Sequence, residues 1–164
     1  MPKATTGNKM KKVLFCHGKE GSTKGTKAEM LRGNFGEVIV PELINSYAAD
    51  DFTKDWLAVE TMAAANDGPD VLVGSSRGGA IVAQVRVKVR KVLIAPAWKK
   101  FGVMPYLTKD DVILHSKKDD LVPYEDSVLL ADLFCCKLVE CGDDHRMSDK
   151  DTLEIIKNHV KGNK

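Results

Sequence analysis

Two adjacent serines, Ser75 and Ser76, lie in a segment of small residues that reads Gly-Ser-Ser-Arg-Gly from position 74 to 78. The pattern Gly-x-Ser-x-Gly is typical of a nucleophile elbow, a sharp turn from a strand into a helix that exposes a reactive serine. Such a turn needs very small residues two positions before and two positions after the nucleophile. Ser76 has Gly74 and Gly78 there, whereas Ser75 would have a valine and an arginine. The sequence therefore predicts Ser76 as the candidate nucleophile.

Six short apolar runs predict the strands that would position this turn. They span residues 13–16, 38–40, 71–73, 92–95, 112–114 and 137–139. Their apolar character is continuous rather than alternating, which indicates strands that are buried on both faces, as in a parallel sheet covered by helices. Ser76 follows the third run and opens a helical pattern, as an elbow requires.

Helical patterns separate these runs, at residues 53–65, 77–86, 124–134 and 148–161. Ser148 and Asp151 fit a capping box at the start of the last helix. Val85, Val87 and Val89 alternate with polar residues, which indicates extended chain and an early entry into the fourth strand. The predicted fold class is α/β: a doubly wound, mostly parallel six-stranded sheet of order 2-1-3-4-5-6 with helices on both faces. In such folds the functional groups gather on loops at the carboxyl ends of the strands.

Loops after the last two strands resemble those of the α/β-hydrolase superfamily. The segment HSKKDDLVPYEDS is similar to the superfamily's His-Gly-x-x-Asp-x-x-Val-Pro, with Ser116 in place of the usual glycine. The resemblance implies that Asp119, and not Asp120, is the acid of a catalytic triad. His145, in the loop before the last helix, matches the position of the superfamily's histidine. Ser76, Asp119 and His145 then follow the chain order that is typical of these enzymes.

The loop after the first strand, FCHGKEGS, resembles the superfamily's His-Gly-x-x-Gly-Ser loop. The resemblance implies that the chain turns at His17 and Gly18 so that the N–H of Lys19 faces the nucleophile. The N–H of Arg77 at the helix start would be the second donor of an oxyanion hole. The Arg77 side chain either has no further role, forms a salt bridge in the site or contacts an acidic substrate group. A nucleotide-binding turn is disfavoured, because the loop contains neither of the glycine motifs that bind phosphates.

The other histidines are predicted to have structural roles. His17 and His115 adjoin strand ends and are interpreted as packing or loop-orienting residues, and His159 lies within the last helix. The cysteines are interpreted as small hydrophobic residues on or beside strands, because none forms a Cys-x-x-Cys pair; they are Cys16, Cys135, Cys136 and Cys141.

The resemblance extends from Val13 to Val160, and the main departure is one of size. Larger members of the superfamily carry a lid between the strands that are counted here as fourth and fifth, where this chain has only residues 97–110. That connector has room for a short cap with Trp98, Phe101 and Tyr106. The chain is therefore identified as a compact, esterase-like serine hydrolase without a large lid domain.

The resemblance implies hydrolysis of carboxylic esters, or thioesters, of small to medium acyl groups. His145 would take the proton of Ser76, Asp119 would stabilise the imidazolium, and water would release the acyl-enzyme. The expected partner is a small-molecule acyl ester, and no cofactor and no metal is expected. Two alternatives stay open: an amidase or peptidase that uses the same triad, and a hydrolase-fold binding module without turnover.

Composition and charge are those of a globular protein with no bias toward polyanions. The chain has 164 residues, 43% of them hydrophobic and 29% charged, and its net charge is +2. Neither nucleic acid nor a membrane is therefore expected as a partner. Residues 1–10 are predicted to be a disordered leader and residues 11–164 a single α/β-hydrolase domain. Because the first ten residues contain no signal-peptide core, the predicted location is the cytoplasm.

Overall fold

The predicted strands form one parallel sheet of order β2-β1-β3-β4-β5-β6, in a computed structural model that describes residues 11–19 and 21–162. The predicted leader at residues 1–10 lies outside the described residues. The strands are β1 (Lys12–Cys16), β2 (Glu37–Ile39), β3 (Val71–Ser75), β4 (Arg90–Ile94), β5 (Val112–His115) and β6 (Lys137–Glu140). Every pairing is parallel, so the predicted fold class and strand order are confirmed.

Five helices cover the sheet: α1 (Thr26–Arg32), α2 (Ala49–Ala63), α3 (Arg77–Gln84), α4 (Tyr124–Phe134) and α5 (Lys150–Lys161). Side chains alternate across each strand, so Leu14 of β1 and Leu72 of β3 face a core shared with α2, α3 and α4. Val13 and Val73 point to the opposite face, where α1 and α5 pack. Both faces of the sheet are therefore buried, which explains the unbroken apolar runs in the sequence.

The helices differ from the sequence predictions at α1, α2 and α5. Helix α1 was not predicted, because it has only seven residues and buries only Ala28 and Leu31, too few for a recognisable stripe. Helix α2 begins at Ala49 rather than at residue 53. Helix α5 is not capped by a box of Ser148 and Asp151: Asp149 is its N-cap, and its carboxylate accepts hydrogen bonds from the N–H and hydroxyl of Thr152.

The chain between α3 and β4 is not continuously extended as its alternating valines predict: it bends at Val87, whose carbonyl accepts from the N–H of Val89, and β4 begins only at Arg90. Val85 is buried, and Val87 and Val89 pack partly against the core below α3. This packing explains the alternation without a strand.

The cysteines are all free, and their prediction holds only in part. Cys16 is buried at the end of β1, and burial raises the pKa of its thiol to about 12. Cys135 is exposed at the end of α4 with a left-handed backbone (φ 57°), so it is neither buried nor part of a strand. Among residues 11–19 and 21–162, no helix has the length and apolar character needed to cross a membrane.

Candidate active site

The loops that leave β1, β3, β5 and β6 meet at the carboxyl edge of the parallel sheet. There they line a cavity of about 570 Å³, whose wall includes Ser76, His145 and the loop at Gly18 and Lys19. The fold therefore brings the predicted site residues from four separate parts of the sequence to one place.

Ser76 lies between the end of β3 and the start of α3, in a strained conformation. Its backbone has φ 56° and ψ −114°, a combination that non-glycine residues rarely adopt and that costs about 1–3 kcal/mol. Three hydrogen bonds fix it: its N–H donates to the carbonyl of Ile94, and its carbonyl accepts from the N–H groups of Ala80 and Ala97. The turn is thus the sharp strand-to-helix elbow that the sequence predicts.

Gly74 and Gly78 are required because nearby backbone atoms leave no room for a Cβ atom at either position. A Cβ atom on Gly74 would lie 2.3 Å from the carbonyl oxygen of Gly78. A Cβ atom on Gly78 would lie 2.0 Å from the carbonyl oxygen of Cys16, at the end of β1. The second glycine therefore allows the elbow to pack against the neighbouring strand as well as to close on itself.

Ser76, His145 and Asp119 form a continuous hydrogen-bonded chain. The Oγ atom of Ser76 lies 2.9 Å from Nε2 of His145, and Nδ1 of His145 lies 2.7 Å from Oδ2 of Asp119. With its proton on Nδ1, His145 donates to Asp119 and accepts from the Ser76 hydroxyl. Asp120, the neighbouring carboxylate, is exposed. This is the arrangement in which a histidine acts as base toward a serine.

The carboxylate of Asp119 is completely buried and surrounded by donors. Its Oδ1 accepts from the N–H groups of Leu121 and Val122, each at 2.8 Å, and its Oδ2 is 2.9 Å from Nε2 of His115. Burial on its own would raise the pKa of Asp119, but the N–H of Val122, the contact with His145 and the N–H of Leu121 outweigh it. The pKa of Asp119 therefore lies below its usual value, and the group is ionised.

His115 forms a second layer behind Asp119. It is fully buried, its Nδ1 is 2.6 Å from Oγ of Ser127, and its Nε2 is 3.1 Å from the carbonyl of Val122 as well as facing Asp119. Burial lowers the pKa of His115 more strongly than Asp119 raises it, so the ring is neutral at pH 7. A neutral ring that accepts from Ser127 has its proton on Nε2 and donates it to Asp119. The sequence predicted a loop-orienting role for His115; Ser127 carried no recognisable signal.

Ser116, the residue that departs from the superfamily's pattern, joins the acid loop to the histidine loop. Its hydroxyl donates to the carbonyl of Gly142 at 2.8 Å and accepts from the N–H of Lys118 at 3.0 Å. A glycine could make neither bond. Beyond Gly142, Met147 is buried with φ 51°, and its N–H donates to Asp144, which completes the turn that carries His145.

The loop after β1 approaches the elbow closely. A Cβ atom on Gly18 would lie 3.1 Å from the Cβ of Ser76 and 3.2 Å from the carbonyl oxygen of Ser75. Within the described residues, no atom accepts a hydrogen bond from the N–H of Lys19 or of Arg77. Both residues line the cavity beside Ser76. Two N–H groups are thus available where the sequence predicts an oxyanion hole.

The side chain of Arg77 forms a buried salt bridge, one of the roles that the sequence left open. Its Nη2 lies 2.8 Å from Oδ2 of Asp55 in α2, with only 1% and 4% of the two side chains exposed. Asp55 also accepts from the N–H groups of Ile44 and Asn45, and Arg77 donates to the carbonyl of Ser46. The pair therefore holds the loop before α2 against the elbow. No sequence signal marked Asp55 as a partner of Arg77.

Asn45 connects this ion pair to the predicted oxyanion loop. Its Nδ2 is 3.3 Å from the carbonyl oxygens of both Gly18 and Lys19, and its Oδ1 lies 3.5 Å from Nη1 of Arg77. Its backbone is left-handed (φ 59°), a conformation that asparagine tolerates better than most residues.

The connector at residues 97–110 has no helix or strand and contributes one wall of the cavity. Phe101 stacks between Phe52 and Tyr47, with ring centroids at 5.0 Å and 6.2 Å. Trp98 donates to the carbonyl of Asp126 instead, and Tyr106 does not line the cavity. Of the three aromatic residues predicted as a cap, only Phe101 therefore reaches the site.

Comparisons with solved structures agree with this architecture. A hydrolase of the α/β superfamily from Xanthomonas campestris pv. campestris aligns with a TM-score of 0.70 and 23% identity, over 93% of this chain and 96% of that one. Mouse alpha/beta hydrolase domain-containing protein 10 gives 0.70 and 19%, over 94% and 90% of the chains. The chain has the α/β-hydrolase fold. Est1E from Butyrivibrio proteoclasticus aligns with a TM-score of 0.69 and 18% identity, over 94% and 86%.

No protein-family model and no curated protein sequence matches the chain. At these identities the structural likeness shows the α/β-hydrolase fold, and the activity has to be argued from the site itself.

Proposed function

We propose that this α/β-hydrolase-fold protein is a serine esterase that cleaves carboxylic esters or thioesters of small to medium acyl groups. The observation that carries the proposal is the hydrogen-bonded chain from the strained Ser76 through His145 to the buried, ionised Asp119. A serine that only supports a turn needs neither a base on its hydroxyl nor a carboxylate behind that base.

In the proposed first step, His145 takes the proton of Ser76 as Oγ adds to the acyl carbon. Asp119 holds the ring in place and stabilises the imidazolium. The N–H groups of Lys19 and Arg77 would bind the oxyanion, and each such donor contributes roughly 3–4 kcal/mol in the transition state. His145 then gives its proton to the leaving oxygen as the bond between the acyl carbon and that oxygen breaks.

The second step mirrors the first. His145 takes a proton from water, the hydroxide adds to the acyl-enzyme, and the bond to Ser76 Oγ breaks as that oxygen regains its proton. All the groups used belong to the chain or to water, so the residues described supply the complete reaction.

The dimensions of the cavity support the proposal of a small to medium acyl group. The cavity volume of about 570 Å³ lies within the range for small-molecule sites, and the short connector adds Phe101 and Lys100 but no covering domain. In a series of 4-nitrophenyl esters, we expect catalytic efficiency to be highest for short or medium acyl chains. A maximum at long chains would contradict this part of the proposal.

An amidase or peptidase remains the second candidate, because the same triad serves both reactions. Assaying each ester beside the amide of the same acid separates them: an esterase hydrolyses the ester and leaves the amide intact.

Labelling with a fluorophosphonate probe tests the proposal as a whole. We expect an adduct on Ser76 that is lost in Ser76→Ala and kept in Ser75→Ala, whose serine also lines the cavity. Ester turnover should fall by about 10⁶-fold in Ser76→Ala. If the folded protein neither reacts nor hydrolyses any ester, the binding-module alternative is correct.

A further inference from the structure

The cavity is lined by more positive charge than the proposed reaction uses. Besides Arg77, which is paired with Asp55, its wall contains Lys19, Lys27, Lys100 and Arg146. Among the lining residues that the structure describes, none is an aspartate or a glutamate.

The cations lie at two ends of the cavity. At one end, the ammonium groups of Lys19 and Lys100 lie 5.0 Å and 4.6 Å from the ring centroid of Tyr47. Both therefore already face an aromatic partner, and Lys100 is exposed to solvent.

The other end, which we call the Lys27 end, is formed by Thr26, Lys27, Arg146 and Ser148. The ammonium of Lys27 is partly buried and donates to the carbonyl of Arg146 and, at 3.3 Å, to the hydroxyl of Ser148. An ammonium has three N–H donors, so these two bonds leave one for a ligand. The Lys27 end combines that donor with Arg146 and the hydroxyl of Thr26, whereas the hydroxyl of Ser148 already donates to the carbonyl of Arg146.

The Lys27 end adjoins the loop that carries His145, because Lys27 donates to the carbonyl of Arg146. His145 must reach the leaving oxygen to protonate it, and Arg146 is the next residue in the chain. The carbonyl that Lys27 contacts belongs to the same loop. This shared loop is the basis for assigning the Lys27 end to a group attached to the leaving alcohol.

We propose that the natural substrate carries an anionic group, such as a carboxylate or a phosphate, on its leaving alcohol or thiol, and that Lys27 and Arg146 bind this group. The inference rests on the proposed esterase function and adds the chemical class of the leaving group. A partly buried ammonium is a strong partner for an anion, because water screens the pair less than at the open surface.

The protonation state of Lys27 provides a second test, the pH dependence of substrate preference. Burial lowers the pKa of Lys27 to about 8, with Arg146 acting in the same direction and Asp144 opposing it. The preference for an anionic leaving group should therefore be largest below pH 8 and fall as the pH rises through that value.

A matched pair of acetyl esters tests the proposal: 3-acetoxybenzoate and 3-acetoxybenzamide. They share the acyl group and nearly the same shape, and they differ in the charge of the leaving phenol. Acetate release is followed in a pH-stat at low salt, and each kcat/KM is divided by the rate constant for hydroxide-catalysed hydrolysis. We expect the benzoate to be preferred roughly 10- to 100-fold, as one charge-assisted hydrogen bond provides.

Variants test which residues cause the preference for the anionic leaving group. Lys27→Met and Arg146→Met should each reduce the ratio of the two kcat/KM values. Lys99→Met is the matched control, because Lys99 pairs with Asp126 and does not line the cavity; its ratio should equal that of the wild type. Arg146 is exposed, so its variant tests the proposal even if Lys27→Met does not fold.

The outcomes separate this inference from the proposed function. If 4-nitrophenyl butyrate is hydrolysed at Ser76 but the two acetyl esters differ by less than about twofold, the esterase stands and the inference is wrong. A preference that survives in both variants also overturns it. If no ester is hydrolysed, both proposals fail together. A preference for 4-nitrophenyl hemisuccinate over the butyrate that is lost in Lys100→Met would place the anion at the opposite end and overturn the assignment to Lys27.

Discussion

The nucleophile side and the acid side of the site are both supported by a buried polar layer, but the two layers differ in charge. Behind the elbow, Arg77 and Asp55 form an ion pair that hydrogen-bonds to backbone groups and to Asn45, and the Arg77 guanidinium also lies over the rings of Phe52 and Phe101. Behind Asp119, the proposed acid, lies the neutral pair of His115 and Ser127, and His115 bonds to the Asp119 carboxylate itself. The ion pair therefore positions loops, whereas the neutral layer also sets the charge distribution of the triad.

This difference has a physical basis. A full charge placed behind Asp119 would change the pKa of the acid by a large amount, whereas a neutral donor changes it moderately. Arg77 and Asp55 carry opposite charges 2.8 Å apart, so together they add no net charge beside the elbow. Variants of Arg77 and Asp55 should therefore mainly lower the free energy of unfolding. Variants of His115 and Ser127 should instead change the pH profile of kcat/KM.

Asp119→Asn should have the largest effect. The amide cannot accept from His145 as the carboxylate does, so the ring loses its orientation and its counter-charge, and kcat for 4-nitrophenyl butyrate should fall by roughly 10⁴-fold. Asp120→Asn is the matched control and should have nearly wild-type kcat, because that side chain is exposed. The opposite result would place the acid one residue later.

Arg77→Met should unfold at much lower denaturant concentration. It leaves the Asp55 carboxylate buried without its cation, which costs about 3–5 kcal/mol in the free energy of unfolding. The double variant Arg77→Met/Asp55→Asn removes the buried charge and should recover part of that loss in urea titrations. If the single and double variants are equally unstable, the pair contributes packing rather than charge.

His115→Leu/Ser127→Ala should act on the acid side through the pH profile. Loss of the Nε2–H donor removes a hydrogen bond that stabilises the Asp119 carboxylate, so the pKa of Asp119 should rise. We expect kcat/KM at pH 7 to fall about tenfold and its acid limb to move to higher pH, as the loss of one charge-assisted bond implies. The variants of Arg77 and Asp55 should not shift the acid limb of the kcat/KM profile. An unmoved limb in the His115 variant would mean that this layer only fills space.

Ser76→Gly should show the smallest effect, a gain in stability. A glycine adopts φ 56° without strain, so this inactive variant should be more stable than Ser76→Ala by about 1 kcal/mol in urea unfolding. Equal stability of the two variants would mean that the elbow carries little strain.

Most of the sheet could be predicted from the sequence, because strands buried on both faces leave unbroken apolar runs. The elbow at Ser76 follows from those runs and from glycines that the backbone contacts require. Helix α1 could not be predicted, since two buried residues make no periodic pattern. The partners behind the site were also hidden. Asp55 is an ordinary acidic residue of an amphipathic helix until the fold places it 2.8 Å from Arg77, and Ser127 has no local motif.

The connector at residues 97–110 gives the chain a place where length can vary independently of the sheet. Its two ends are fixed: the N–H of Ala97 donates to the carbonyl of Ser76, and the carboxylate of Asp111 accepts from the N–H of Thr108. Between them the backbone forms no helix or strand, and Phe101 already reaches the cavity. Loops with anchored ends tolerate insertions at little thermodynamic cost. Grafting longer segments between these anchors would therefore turn one small scaffold into a series of enzymes that differ in the acyl groups they accept.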